Sequence, residues 1–198
     1  LGLAAAAAAA AGFLAAAAGF AAARRIALGA EAPARRAPAG AWLLEEGYVK
    51  PFAGVRHAHY GAAAAVALHP ALRGRLDRIT AIRLETYGEA IAYAGNRAPA
   101  TAIKAQFSLS WGVSAALAQG DLGPPAYAEA ALADPLRRRL EALVELAEDT
   151  AMTSGGRRAA RLVVEVDGER LSESVDGAVG DPDRPMDDAA VQAKFLRL

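Results

Sequence analysis

Lys50-Pro51-Phe52-Ala53-Gly54-Val55-Arg56-His57-Ala58-His59 is the densest cluster of chemically competent side chains in the sequence. A lysine, an arginine and two of the chain's three histidines fall within ten residues. Chemistry on a small di- or tricarboxylate uses these types. Arginine grips a carboxylate through two parallel N–H bonds, lysine supplies a compact positive charge, and histidine exchanges protons near neutral pH. The competing reading of the same residues is a solvated basic turn. A metal reading of His57-x-His59 is set aside: the remaining histidine is His69, cysteine is absent, and a catalytic zinc needs a third ligand.

The elements that must position this cluster follow from periodicity and turn chemistry. The spacing predicts a helix from His59 to Leu72, whose start would add unpaired N–H groups favourable to an anion. Arg78 to Tyr87 alternates as a strand does. Thr101 to Gln119 places Ile103, Phe107, Trp111, Ala115 and Ala118 at helical spacing and closes at Gly120. Asp134 to Leu146 starts with an Asp-Pro pair at the first helical positions and carries Leu136, Leu140, Leu143 and Val144 on one side. Leu162–Val166 and Glu169–Val175 flank Asp167-Gly168, a strong hairpin signal. A short closing helix has Asp187 and Asp188 in its first turn and Lys194 and Arg197 in its last, as the helix dipole favours.

Upstream, Leu1 to Ala23 carries no charge and is mostly alanine, which points to a packed internal helix rather than a membrane span or a signal peptide. Residues 29–40 form a Gly/Pro/Arg connector. Leu1 stands where an initiator methionine would, so the sequence is expected to begin inside a longer protein. The fold class expected is α+β: a small domain of helices packed on an antiparallel sheet (48–180), flanked by remnants of an all-helical domain (1–47) and a C-terminal helix returning to it (181–198).

Composition excludes several functions. The 22 basic and 22 acidic side chains balance, leaving no global field to attract nucleic acid or an anionic membrane. The absence of cysteine removes disulfides, thiolate zinc sites, thiol nucleophiles and cysteine-held iron–sulfur clusters, and fits a reducing, cytoplasmic setting.

The segment Lys50–His59 resembles the K-P-[YF]-x-x-x-R-H-x-H stretch of the MmgE/PrpD family, the group of 2-methylcitrate dehydratase and cis-aconitate decarboxylase. Further matches keep the family's order. Ile79–Tyr87 is similar to its I-x-x-I-x-V-x-T-Y strand, and Ala105-Gln106-Phe107-Ser108-Leu109 with Ala115-Ala116-Leu117 to its A-K-F-S-L helix start. Asp167-Gly168 matches its hairpin, and Gly180 to Pro185 with Lys194-Phe195 its closing stretch. Gly12-Phe13-Leu14 through Gly19-Phe20 resembles an upstream helix.

The resemblance implies the C-terminal part of a hydro-lyase acting on a citrate-like tricarboxylate, of the 2-methylcitrate dehydratase type in propionate catabolism. It implies a cytoplasmic homodimer when full length, with no cofactor and no metal, and inactivity for the 198-residue chain alone. Lys50 and His57 are the implied catalytic residues, and Arg56 and His59 the substrate-binding ones. The alternative is a non-catalytic family remnant acting as a binding or regulatory partner. Three departures stand out. Trp111 takes the place of a tyrosine, Leu1 and Ala4 those of a lysine and a histidine, and Val55 that of the histidine found in the decarboxylase subgroup.

Overall fold

The computed structural model describes residues 47–196. The chain divides between Glu46 and Gly47, and all described residues belong to the second unit. The expectations for the alanine-rich segment, the connector, Leu1 and Ala4 lie outside the described residues.

After an extended loop the chain forms helix α1 (Ala58–Leu72) and then strand β1 (Ile79–Thr86). A helical excursion follows: α2 (Gly88–Ala94), α3 (Ala102–Gln106), α4 (Leu109–Gln119), α5 (Glu129–Ala133) and α6 (Pro135–Leu143). Strand β2 (Val144–Glu148) and α7 (Thr150–Ser154) lead into the β3–β4 hairpin (Ala159–Val166 and Glu169–Asp176), and α8 (Asp188–Phe195) closes the described chain. The sheet order is β2-β1-β3-β4. β1, β3 and β4 pair antiparallel, as expected for an α+β domain, and β2 adds a parallel edge on β1. That edge needs a long crossover, which the α2–α6 excursion supplies.

Burial in the sheet follows the pleat. Ile82, Leu84 and Thr86 on β1 and Leu162, Val164 and Val166 on β3 are buried, while on the opposite face Arg83 and Arg161 both pair with Glu85, and Val163, opposite Arg83, is buried as well. A register shift between Ile79 and Ala81 lets Ile79 join the buried set although it is three residues from Ile82. The hairpin turns at Asp167-Gly168, with φ of 52° and 78°, the paired left-handed conformation that a tight two-residue connection needs and that favours an Asp-Gly pair.

Two helices differ from their periodicity. Thr101–Gln119 divides at Phe107, because the Ser108 hydroxyl accepts the Trp111 N–H at 3.1 Å and starts α4 anew. Ile103 and Phe107 are consequently exposed, whereas Trp111 and Ala115 are buried. The other helix, capped by Asp134 at the Arg137 N–H (2.8 Å), ends at Leu143. Val144 to Leu146 are strand, since pairing with Ile82 to Leu84 overrides the helical propensity of Glu145-Leu146-Ala147 that follows the β-branched Val144.

Trp111 has no solvent exposure, and its Nε1–H donates to the Ala126 carbonyl at 3.1 Å. The Arg138 guanidinium stacks on its ring. The residue standing in for a tyrosine is therefore a core anchor. Among the described residues no helix is long and apolar enough to cross a membrane.

Candidate functional site

The loop before α1 is fastened along its length. Val49 N–H donates to the Gly180 carbonyl, Ala53 N–H to Leu122 and Val55 N–H to Gln106, each at 2.9 Å. Phe52, Ala53 and Val55 also pack against the core. Together these contacts give the loop's side chains fixed directions.

Helix α1 begins at Ala58, one residue earlier than its periodicity predicts. The Ala58 and His59 N–H groups are taken by the Val55 and Arg56 carbonyls in the turn leading in, so they are not available to an anion.

Arg56 is the best-held cation of the loop. Its Nη2 pairs with the Asp181 carboxylate, and its guanidinium lies 5.0 Å from the ring centre of Tyr48 and 5.2 Å from that of Tyr60. Cation–π contact on two rings suits the weakly hydrated guanidinium. Burial raises the Tyr60 hydroxyl above its ordinary range, so it stays a neutral phenol. Arg56 Nη1 is buried with no hydrogen-bond partner among the described residues.

The two histidines face different surroundings. His57 Nδ1 lies 2.7 Å from the Tyr87 hydroxyl, and its ring stacks on Tyr93 with centres 5.6 Å apart and planes within 5°. Burial lowers its pKa from the usual 6.5. Glu89 opposes that shift, while Arg158 and Arg56 add to it. His57 is therefore a neutral imidazole at pH 7.

His59 is 1% exposed, edge-on to Phe52, with Nε2 3.4 Å from the Gly54 carbonyl and Nδ1 unpartnered among the described residues. Burial drives its pKa to about 4; the Gly54 hydrogen bond raises it less than burial lowers it. This side chain braces the loop from behind.

That burial gives a pH prediction. Between 6.5 and about 4 the unfolded chain takes up a proton at His59 that the folded chain refuses, so stability falls as pH drops through this window. The loss is complete below pH 4 and amounts to roughly 3 kcal/mol. Denaturant midpoints measured from pH 7 to pH 4 should show this decline, and His59→Leu should flatten it.

A cleft of about 610 Å³ opens beside the loop. Tyr48, Arg56, His57 and Tyr60 line one side; Arg157 and Arg158, just before β3, line another; Asp181, Asp183 and Arg184 line the segment after β4. Arg157 pairs with Asp176 at 2.5 Å, and Arg158 approaches Glu89 at 3.7 Å. A second cavity of about 180 Å³, containing Tyr87, Glu89 and Thr153, shares Gly156, Arg157 and Arg158 with it.

Of the residues named from sequence, Arg56 and His57 meet at this cleft. His59 points into the core beneath them. Lys50 is exposed and is not part of the cleft lining, although its charge acts on His59. Sequence reasoning missed Tyr48, Tyr60, Tyr87, Arg157, Arg158, Asp181 and Arg184. The available signal was a pair of glycine-flanked charged stretches, Gly155-Gly156-Arg157-Arg158 and Gly180-Asp181. Among the described residues no group of three His, Asp or Glu side chains converges as a metal site would.

The fold is a small α+β domain, and its cleft is lined by arginines, aspartates, tyrosines and His57. Residues 52–198 match the model of the MmgE/PrpD C-terminal domain. The chain thus belongs to the MmgE/PrpD family. No curated protein matches the chain significantly.

Proposed function

We propose that the chain is the C-terminal part of a hydro-lyase acting on a citrate-like tricarboxylate, of the 2-methylcitrate dehydratase type, with the 610 Å³ cleft holding substrate carboxylates. The observation that carries this reading is Arg56: oriented by two aromatic rings and Asp181, it lines the cleft with one buried N–H donor group unused. Arg157, Arg158 and Arg184 line the same space, so that with Arg56 the arginines of the cleft outnumber its aspartates, Asp176, Asp181 and Asp183, by one. A tricarboxylate also needs more than one cation to offset the loss of its hydration.

Dehydration removes a proton next to a carboxylate and protonates a departing hydroxyl, so it requires an acid, a base and cations that stabilise the charge building on the carboxylate. On this reading His57 acts on a proton or hydrogen bond at the cleft, and Lys50, on the exposed run leading into the loop, meets a carboxylate or the leaving oxygen. Arg56 binds a carboxylate directly, and His59 contributes to substrate binding by holding the loop in place. The remaining acid and base groups come from outside the described residues. The full-length enzyme is proposed to work as a homodimer in the cytoplasm, in propionate catabolism.

The test is an assay of the full-length protein with citrate-type acids, following the unsaturated product. Turnover should appear there and be absent from the 198-residue chain. Lys50→Ala should cut turnover at least about tenfold, the usual effect of losing a positioned proton donor or charge. Unchanged turnover in that variant removes Lys50 from the mechanism, and failure of the full-length protein on every citrate-like acid removes the activity.

A further inference from the structure

The environment of His57 contains more information than a role as generic proton exchanger, and what it says rests on the reading of the cleft as a carboxylate site. Three features surround the ring: the Tyr87 hydroxyl at 2.7 Å from Nδ1, Tyr93 stacked parallel to it, and the cleft against which His57 lies. We propose that Tyr87 and Tyr93 are positioning residues that lock His57 as the neutral Nε2–H tautomer, so that it gives the cleft a hydrogen-bond donor and not a base.

The direction of the hydrogen bond follows from donor and acceptor strength. A phenol O–H is a good donor and its oxygen a modest acceptor, whereas the bare nitrogen of an imidazole is a strong acceptor. Tyr87 is almost fully buried, and burial holds its hydroxyl protonated, well above the ordinary tyrosine range. The stable arrangement is therefore Tyr87 O–H donating to Nδ1. With Nδ1 accepting, the ring's single proton sits on Nε2.

Stacking on Tyr93 fixes the ring plane, so that proton keeps one direction. The charged groups around the ring are Arg56 from its own loop, Arg158 from the segment before β3, and Glu89 on α2. Glu89 is the one acidic group among them, and it lies near Arg158. Two guanidiniums and burial thus oppose protonation at Nδ1 more than Glu89 favours it. A neutral imidazole that donates from Nε2 is complementary to a ligand carboxylate or carbonyl oxygen. It is a poor proton acceptor there, because Nε2 is already occupied and Nδ1 is spoken for by Tyr87.

Nitrogen-15 NMR of the 198-residue chain reads this directly, since the two ring nitrogens of a neutral histidine differ widely in shift according to which carries hydrogen. His57 should show the Nε2–H form in about tenfold or greater excess, the preference one hydrogen bond supplies. Tyr87→Phe should reduce that excess toward the ratio of a free histidine, with the His69 signals unmoved as evidence that the fold is kept. A dominant Nδ1–H form in the unmodified chain overturns the proposal, as does a ratio unchanged by Tyr87→Phe.

Binding of citrate supplies the second arm. A glutamine amide can place an N–H near the position of Nε2 but cannot take up a proton at pH 7. His57→Gln should keep citrate affinity within about threefold while His57→Ala lowers it about tenfold, the worth of one hydrogen bond to a charged acceptor. Equal losses in the two variants count against a donor role. If the unmodified chain binds no citrate at all, the carboxylate reading of the cleft fails, while the tautomer measurement still decides what Tyr87 does to His57.

Discussion

Arg56→Ala is expected to lower kcat/KM for a citrate-like acid about 100-fold in the full-length protein, and to weaken citrate binding to the chain by a similar factor. A charge-assisted hydrogen bond contributes roughly 1.5–3 kcal/mol, and about 1.4 kcal/mol corresponds to a factor of ten. Arg56 forms one such bond to Asp181 and has a second donor nitrogen unused. Its removal also leaves Asp181, only 23% exposed, without its cation at the edge of the cleft, where its negative charge would repel a carboxylate.

Arg56→Lys should recover little. An ammonium cannot lie flat between Tyr48 and Tyr60 while holding two acceptors. Asp181→Asn separates the two effects, because it keeps the cation and removes the competing carboxylate. Binding in that variant should be equal to or tighter than in the unmodified chain. Calorimetric titration with citrate checks all three, and an Arg56→Ala variant that binds as well as its parent dismisses the cleft as the carboxylate site.

What could be read in advance, and what could not, divides along sequence separation. The hairpin at Asp167-Gly168, the Asp134 cap and the Gly120 stop are local arrangements that a few adjacent residues dictate, and the structure keeps them. The Lys50–His59 cluster was legible because its chemistry is concentrated in one short run. The partners that turn it into a site were not. Asp181 is 125 residues from Arg56 and arrives only because the β3–β4 hairpin lies on β1 and the chain then doubles back past the loop. Tyr87 is 30 residues from His57 and was legible as the end of a strand, but nothing local ties its hydroxyl to that imidazole.

The misread helices carry the same lesson in miniature. Helical spacing runs unbroken from Phe107 to Trp111 and Ala115, and only the Ser108 cap interrupts it. Val144 turns from helix to strand because β1 offers it a ladder, a contact 62 residues away in sequence. The opposite faces of His57 and His59 follow from position as well. The two flank Ala58 at the first turn of α1, where two residues' advance rotates a side chain about 200° around the axis.

The clip that closes the loop onto the segment after β4 is where the fold is most sensitive to a single atom. Gly180 has a φ of 94°, and a Cβ placed on it would lie 1.9 Å from the Val49 carbonyl oxygen. Rotation of a flexible side chain cannot relieve this, because the obstacle is backbone. Val49 is also held from the other side, its N–H donating to the Gly180 carbonyl at 2.9 Å, while Gly180 N–H donates to Arg184 at 2.8 Å.

Gly180→Ala must therefore open the clip or distort both strands of it. Strain at such a φ costs about 1–3 kcal/mol, and the lost backbone bonds add about 1 kcal/mol each, so a destabilisation of about 4 kcal/mol is expected. Opening also shifts Tyr48, the residue before Val49, and with it one of the two rings that orient the Arg56 guanidinium. Denaturant unfolding should show the lower midpoint. Citrate affinity should fall even at temperatures where the variant remains folded, because the arginine that binds the carboxylate is no longer held between its rings. A variant with unaltered stability would mean that this stretch leaves the Val49 carbonyl at little cost. The loop carrying Arg56 and His57 would then be held chiefly by the bonds to the Leu122 and Gln106 carbonyls and by the packing of Phe52, Ala53 and Val55 on the core.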